Sequence, residues 1–278
     1  MAIRNTVFVF GIIAVIAGMC DTLAAQRQTE QLDRGLVAVV AQEGKVYLGW
    51  RLLNTDRTGI SFNLYRQTED AQPIKLNPEP LTRTTDFLDT TAPMDKANRW
   101  WVCPVLDGKE QAPKGKTDLA AHAPVKPYIA IPLQGKYICN KVAIADLNGD
   151  GQYDYIIKQP HQTSDPGVWQ PSTDTWKVEA YLHDGTFLWR KDLGWNIEQG
   201  IWWSPMVVYD FDGDGKAEVA LKTAPLEPDY REKEGELAGR VCSGPEYCTI
   251  LDGMTGKEID RVDWPARGKI QDWGDAKN

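Results

Sequence analysis

The segment Asp210-Phe211-Asp212-Gly213-Asp214-Gly215-Lys216-Ala217-Glu218 restricts the fold more than any other part of this chain. It offers an oxygen at every second position: the side chains of Asp210, Asp212 and Asp214, the backbone carbonyl of Lys216 and the side chain of Glu218. Its two glycines let the backbone curl around a point. Hard oxygen donors on a flexible loop suit Ca²⁺ better than Zn²⁺ or a strictly octahedral Mg²⁺. The pattern recurs 64 positions earlier, with Asp146, Asn148, Asp150, the Gln152 carbonyl and Asp154 as donors. Asp and Gly are common in plain turns. Two copies in one oxygen register nevertheless argue for bound calcium, expected in a structural role.

Neither loop is an EF-hand. That motif needs a bidentate Glu at the twelfth position and a helix on each side. The twelfth residues here are Ile157 and Leu221, and the closing carboxylate comes at the ninth. The flanks Val142–Ala145, Tyr155–Lys158, Met206–Tyr209 and Val219–Lys222 read as strands, so each loop turns a β-hairpin. A second hairpin follows each loop. It turns at Asp184-Gly185 in the first unit and at Asp252-Gly253 in the second, 68 positions apart. Two hairpins make four strands. Four strands recurring at this period describe a propeller blade with an insertion between its halves.

About two such units occupy residues 133–278. Propellers close with about four to eight blades, and two would leave open strand edges. The chain is therefore expected to be the N-terminal part of a longer protein. Residues 30–118 read as a small β-sandwich, because Leu36–Val40, Val46–Leu52, Ile60–Arg66 and Trp100–Leu106 are short β-rich runs without helical period. Ile60, Phe62 and Leu64 alternate with Ser61, Asn63 and Tyr65, the pattern of a half-buried strand. Asp107-Gly108 signals a hairpin. Trp50, Trp100 and Trp101 are assigned to the core. Residues 119–132, rich in Pro and Ala, read as a linker. The expected fold is thus all-β: a sandwich followed by the first blades, about two, of a β-propeller.

Residues 1–25 read as a secretory signal. Arg4 precedes the 13-residue apolar run Val7–Met19, which is too short to span a bilayer, and Thr22-Leu23-Ala24-Ala25 offers small residues for cleavage. Cys20 raises a lipoprotein alternative, against which Met19 is not the small residue such processing wants. The mature protein is expected outside the cell or in the periplasm, as a monomer. Cys242 and Cys248 flank Gly244-Pro245, where a small disulfide-closed hairpin is one reading and free thiols the other.

The net charge of -8, with no basic stripe, excludes nucleic acid as a partner. Eleven Trp and ten Tyr suit β structure and stacking on sugar rings. No Gly-x-Ser-x-Gly, His-Glu-x-x-His or phosphate loop is present. His161 and Trp169 lie in a long polar insertion of the first unit, where propellers carry binding sites. Trp202 and Lys222 occupy matching approaches in the second. These four are the candidate substrate contacts. No carboxylate pair stands out for glycoside hydrolysis.

Taken in order, several motifs resemble rhamnogalacturonan lyases of polysaccharide lyase family eleven. They are Gly35-Leu36-Val37-Ala38, Leu48-Gly49-Trp50-Arg51-Leu52-Leu53, Phe62-Asn63-Leu64-Tyr65-Arg66, the two Asp-rich loops, Ile201-Trp202-Trp203-Ser204-Pro205, Lys222-Thr223-Ala224, Gly244-Pro245-Glu246-Tyr247 and Asp272-Trp273-Gly274-Asp275. The resemblance implies a β domain followed by an eight-bladed propeller holding several calcium ions. It implies a pectic polysaccharide partner, rhamnogalacturonan I, cleaved by β-elimination at galacturonate. The remaining blades lie outside the 278 residues, so no catalytic base is carried over and the chain alone is expected to be inactive. The alternative is a non-catalytic, calcium-stabilised propeller module for glycan binding or adhesion.

Overall fold

A computed structural model of the chain describes residues 30–159, 171–197, 204–266 and 268. The leader expected at residues 1–25, and His161, Trp169 and Trp202, lie outside the described residues. Among the described residues every regular element is a strand.

Eight strands precede residue 120: β1 (Val37–Gln42), β2 (Lys45–Gly49), β3 (Ser61–Thr68), β4 (Ile74–Lys75), β5 (Asp86–Asp89), β6 (Asn98–Leu106), β7 (Lys109–Glu110) and β8 (Lys116–Leu119). One antiparallel sheet runs β1-β2-β5, the other β4-β3-β6-β7 with β8 also paired to β6. Both sheets feed one apolar core: Leu36, Val46, Leu48 and Trp50 pack with Phe62, Leu64, Trp100 and Val102. Trp100 is fully buried. Its indole N–H donates to Asp89 Oδ2 at 3.0 Å, and Arg66 reaches the same oxygen at 2.7 Å, so a polar tie joins the sheets. Burial opposes ionisation of Asp89, yet the hydrogen bonds from Trp100, Thr91 and Arg66 together hold its carboxyl below the ordinary range.

Two details differ from the sequence reading. Ser61 and Asn63, expected on a solvent face of β3, are buried. Asn77 meets Asn63, its amide donating to Asn63 Oδ1 at 3.1 Å and to the Phe62 carbonyl at 3.1 Å, while the Ser61 hydroxyl donates to the Val105 carbonyl at 3.5 Å. The polar face is covered by a polar network rather than by water. The short strands β5 and β8 were also not anticipated; their sequences, Asp-Phe-Leu-Asp and Lys-Thr-Asp-Leu, carry too few apolar residues to signal a strand.

The remaining strands are β9 (Lys141–Ala145), β10 (Asp154–Gln159), β11 (Lys177–Tyr181), β12 (Phe187–Asp192), β13 (Met206–Tyr209), β14 (Glu218–Thr223), β15 (Tyr247–Asp252) and β16 (Glu258–Asp263). They form two four-stranded antiparallel sheets in the orders β12-β11-β10-β9 and β13-β14-β15-β16. Each Asp-rich loop and each Asp-Gly pair sits at the hairpin turn expected of it. The sheets pack through Ala145, Leu147, Ile156, Trp176, Val178, Ala180 and Trp189 against Ala217, Val219, Leu221 and Leu251. Every residue of β11 is buried. Val178 and Ala180 face the second sheet, whereas Lys177 lies over Tyr137 and Tyr181 Oη accepts from the Gln134 N–H at 2.8 Å. The non-strand segment before β9 therefore covers that outer face. At the far edge β16 is exposed throughout and carries Glu258, Asp260, Arg261 and Asp263, charges that discourage edge pairing.

No disulfide joins Cys242 and Cys248 among the described residues. Cys248 is the second residue of β15, held in register between Lys222 of β14 and Val262 of β16. Cys242 follows Val241, which bridges to Arg231. The Gly244-Pro245 bend thus leads from one ladder into another, and is not a hairpin closed on itself.

Candidate functional site

The two Asp-rich loops fold by the same local rules. The first Asp of each is buried and accepts backbone N–H groups from within its loop. Asp146 Oδ1 takes Gly149 N at 2.8 Å and its Oδ2 takes Gly151 N at 2.7 Å. Asp210 Oδ1 takes Gly213 N at 2.6 Å and its Oδ2 takes Gly215 N at 3.1 Å. The ninth residue closes each loop from the following strand, Asp154 accepting Leu147 N at 3.0 Å and Glu218 accepting Phe211 N at 2.9 Å. The glycines adopt φ of +79° and +84° in the first loop and +83° and +91° in the second, where a side chain would be strained.

The donor chemistry fits a hard divalent cation. In the second loop Asp210, Asp212 and Glu218 each place a carboxylate oxygen within 4.8 Å of the others. Oxygens coordinating one Ca²⁺ at about 2.3–2.6 Å lie within roughly 5 Å of each other. Burial raises the Glu218 carboxyl, and the neighbouring Asp212, Asp210 and Asp214 add to the push. Burial likewise raises Asp154 to about 6, with Asp150 contributing, against hydrogen bonds from Leu147 and His183. Clustered carboxylates that resist ionisation together are what a cation relieves. The Gln152 side chain turns away to donate to Asp33 Oδ2 at 2.9 Å, leaving its backbone carbonyl as the donor from that position.

The loops touch one another. Ala217 N donates to the Asp146 carbonyl at 2.7 Å, and Trp189 Nε1 reaches across to the Gly253 carbonyl at 2.8 Å. A second contact was not legible in the sequence. Asp33 N donates to the Gly151 carbonyl at 3.0 Å, and Arg51 Nη2 donates to the same oxygen at 3.2 Å while lying 4.3 Å over Tyr153. The segment around Asp33 thereby clamps the first loop. Nearby, burial raises the Glu30 carboxyl; a hydrogen bond from the Asp146 backbone pulls against this, and the charges of Asp146 and Asp210 add to the rise.

The opposite end of the sheets carries Lys222, the one candidate substrate contact among the described residues. It is 9% exposed, ion-paired with Glu246 at 2.6 Å and 5.6 Å from the Trp264 ring. Its repeat counterpart was missed. Lys158 follows Asp146 by 12 positions as Lys222 follows Asp210, so aligning the two units would have found it. Lys158 is buried, lies 4.5 Å over Trp176, and donates to the carbonyl and, at 2.8 Å, the hydroxyl oxygen of Ser204. Burial, helped by the nearby Lys141, lowers its ammonium to about 7. Each sheet thus sets metal-type oxygens at one end of its second strand and a buried lysine beside a tryptophan at the other.

The described chain divides into a two-sheet β unit and a pair of similar four-stranded sheets, each with an oxygen-rich hairpin, and two family models divide it at the same place. Residues 123–278 match the family model described as rhamnogalacturonan lyase family 11, C-terminal domain, and residues 27–119 match the rhamnogalacturonan I lyases beta-sheet domain. The chain belongs to rhamnogalacturonan lyase family 11. It is 38% identical over 91% of its length to the rhamnogalacturonan endolyase YesW of Bacillus subtilis, and 36% identical over 90% to the exolyase YesX of the same organism. It superposes on the crystal structure of YesW with a TM-score of 0.74, and on a Bacillus licheniformis rhamnogalacturonan lyase with 0.73 at 38% identity; 90% of the chain and 44% of each structure are covered. The chain spans 42% of the length of both B. subtilis relatives.

Proposed function

We propose that this chain is the calcium-binding N-terminal part of a secreted rhamnogalacturonan lyase. Its two four-stranded sheets serve as neighbouring blades of a β-propeller, reached from a small β-sandwich through residues 119–132. The observation that carries the reading is the pair of matching oxygen-rich hairpins in a chain of this family. Asp146, Asn148, Asp150, Asp154 and the Gln152 carbonyl would hold one Ca²⁺. Asp210, Asp212, Asp214, Glu218 and the Lys216 carbonyl would hold another. The ions neutralise the clustered carboxylates and fix the hairpins.

The reaction is β-elimination: a base removes the C5 proton of a galacturonate in rhamnogalacturonan I, and the bond to the leaving oxygen breaks as a double bond forms. Lys222 and Lys158 stand at matching strand ends of the two sheets. Both are buried, Lys222 paired with Glu246 and Lys158 bonded to Ser204, and no catalytic base is named among the described residues. The 278-residue chain alone is inactive. Incubation with rhamnogalacturonan, following ultraviolet absorbance of the unsaturated product, tests this. No rise is expected from the chain, and a rise is expected from the gene product extended to the length of the relatives. A clear rise from the chain alone overturns the inactivity. Silence from the extended protein, with retained polysaccharide binding, favours a non-catalytic glycan-binding module instead.

A further inference from the structure

The first Asp-rich loop meets the N-terminal sheets through one peptide unit. Gly151 N donates to Asp146 Oδ2 at 2.7 Å, and Gln152 N donates to Asp150 Oδ1 at 2.7 Å. A trans peptide is planar and sends its N–H and C=O in opposite directions. The peptide between residues 151 and 152 therefore turns its N–H to a carboxylate of the loop and its carbonyl outwards. There Asp33 N, at 3.0 Å, and Arg51 Nη2, at 3.2 Å, both donate to the Gly151 oxygen. The Gln152 side chain adds a bond to Asp33 Oδ2 at 2.9 Å, and the Arg51 guanidinium lies 4.3 Å over Tyr153. The matching peptide of the second loop keeps the inner bond, Lys216 N to Asp214 Oδ1 at 2.8 Å. Among the described residues no pair of outside donors meets its Gly215 carbonyl.

We propose that this peptide is a lever that couples calcium binding at the first loop to the docking of the N-terminal sheets, with Arg51 and Asp33 as positioning residues for the ion site. The inference rests on the calcium assignment made above, and adds that the two loops bind the ion under different control. An ion that draws in Asp150 and the Gln152 carbonyl sets the tilt of a rigid plane. The far end of that plane is the acceptor for Asp33 and Arg51. Such coupling is reciprocal: what the N-terminal contacts add to calcium affinity, calcium adds to those contacts. Charge alone predicts the opposite effect. Arg51 is a cation beside the loop, so removing it should strengthen the binding of another cation. The sign of the change therefore separates a lever from a plain electrostatic neighbour.

The test is hydrogen-exchange mass spectrometry of the 278-residue chain across a calcium titration, which reads residues 146–154 and 210–218 separately. Arg51→Ala is expected to raise the calcium midpoint of the first loop about tenfold, equivalent to 1.4 kcal/mol, and to leave the midpoint of the second loop in place. Arg51→Lys keeps a cation but loses the planar group over Tyr153. It should shift the first midpoint the same way by less, and it decides the matter if Arg51→Ala does not fold. In wild type, saturating calcium should slow exchange at Asp33. A first midpoint that stays or falls, or two midpoints that rise together, overturns the lever and leaves the calcium sites standing. Exchange that ignores calcium at both loops overturns the calcium assignment, and the lever with it.

Discussion

Replacing Asp210 by Asn tests whether the second loop is a metal site or a turn that needs no ion. In the structure Asp210 is 4% exposed, and its two oxygens accept two loop N–H groups, Gly213 at 2.6 Å and Gly215 at 3.1 Å. Asparagine keeps one acceptor oxygen and sets an amide donor against the other N–H. Leaving one of these part-buried donors unsatisfied costs at most about 1–3 kcal/mol. For a chain of this size each kcal/mol shifts the melting temperature by roughly 2–4 °C, so the metal-free variant should melt lower by at most about 2–12 °C. Calcium adds a separate quantity. Free ion at 100 times the dissociation constant stabilises the native state by about 2.7 kcal/mol per site, about 10–20 °C for two sites. The variant loses one anionic donor from the trio within 4.8 Å, and should keep only the increment of the first loop, about half. The assay is differential scanning fluorimetry of both proteins in chelator and across a calcium titration. A wild type that melts at the same temperature with and without calcium refutes the metal assignment. A variant that keeps the whole wild-type increment refutes the assignment of Asp210.

Two further substitutions probe the packing around the loops. Lys158 has its ammonium lowered by burial from 10.5 to about 7, so between those values the unfolded chain holds the extra proton. The stability tied to this residue therefore rises with pH across that window and is lowest below it. Lys158→Met should gain stability over wild type at pH 6, with the gain shrinking towards pH 10; parallel urea midpoints across that range would show that the residue is not buried as an amine. Gly151 and Gly215 share positive φ, +84° and +91°, where alanine costs about 1–2 kcal/mol. A methyl at Gly215 meets open space, whereas at Gly151 it would lie 2.8 Å from Asp33 N. Gly151→Ala should therefore melt lower than Gly215→Ala and open the segment around Asp33 to limited proteolysis; equal melting temperatures would remove the clamp from the account.

What was legible in the sequence was local. An Asp that accepts from residues three and five positions later, a glycine at each left-handed step and an Asp-Gly turn after each loop are short-range devices, and the structure forms both copies alike. What was hidden lies at long range. Arg51 and Gly151 stand 100 positions apart, and neither residue type announces the other. The buried face of β3 likewise depends on Asn77, whose own neighbourhood reads as a polar turn. This divides two loops that the sequence makes equal. The first is held by Asp33, Arg51 and, through His183 N at 2.8 Å from Asp154, by the following hairpin. In the second, residues 211–214 are exposed, and Gly215 has open space around it. A cation at the first loop would meet a shape held also from outside. At the second, whose three carboxylates already converge, it would meet a shape held mainly by the loop's own hydrogen bonds. Equal donor sets therefore do not imply equal dependence on metal. The second loop, further from the clamp, is the one whose order should follow calcium most closely.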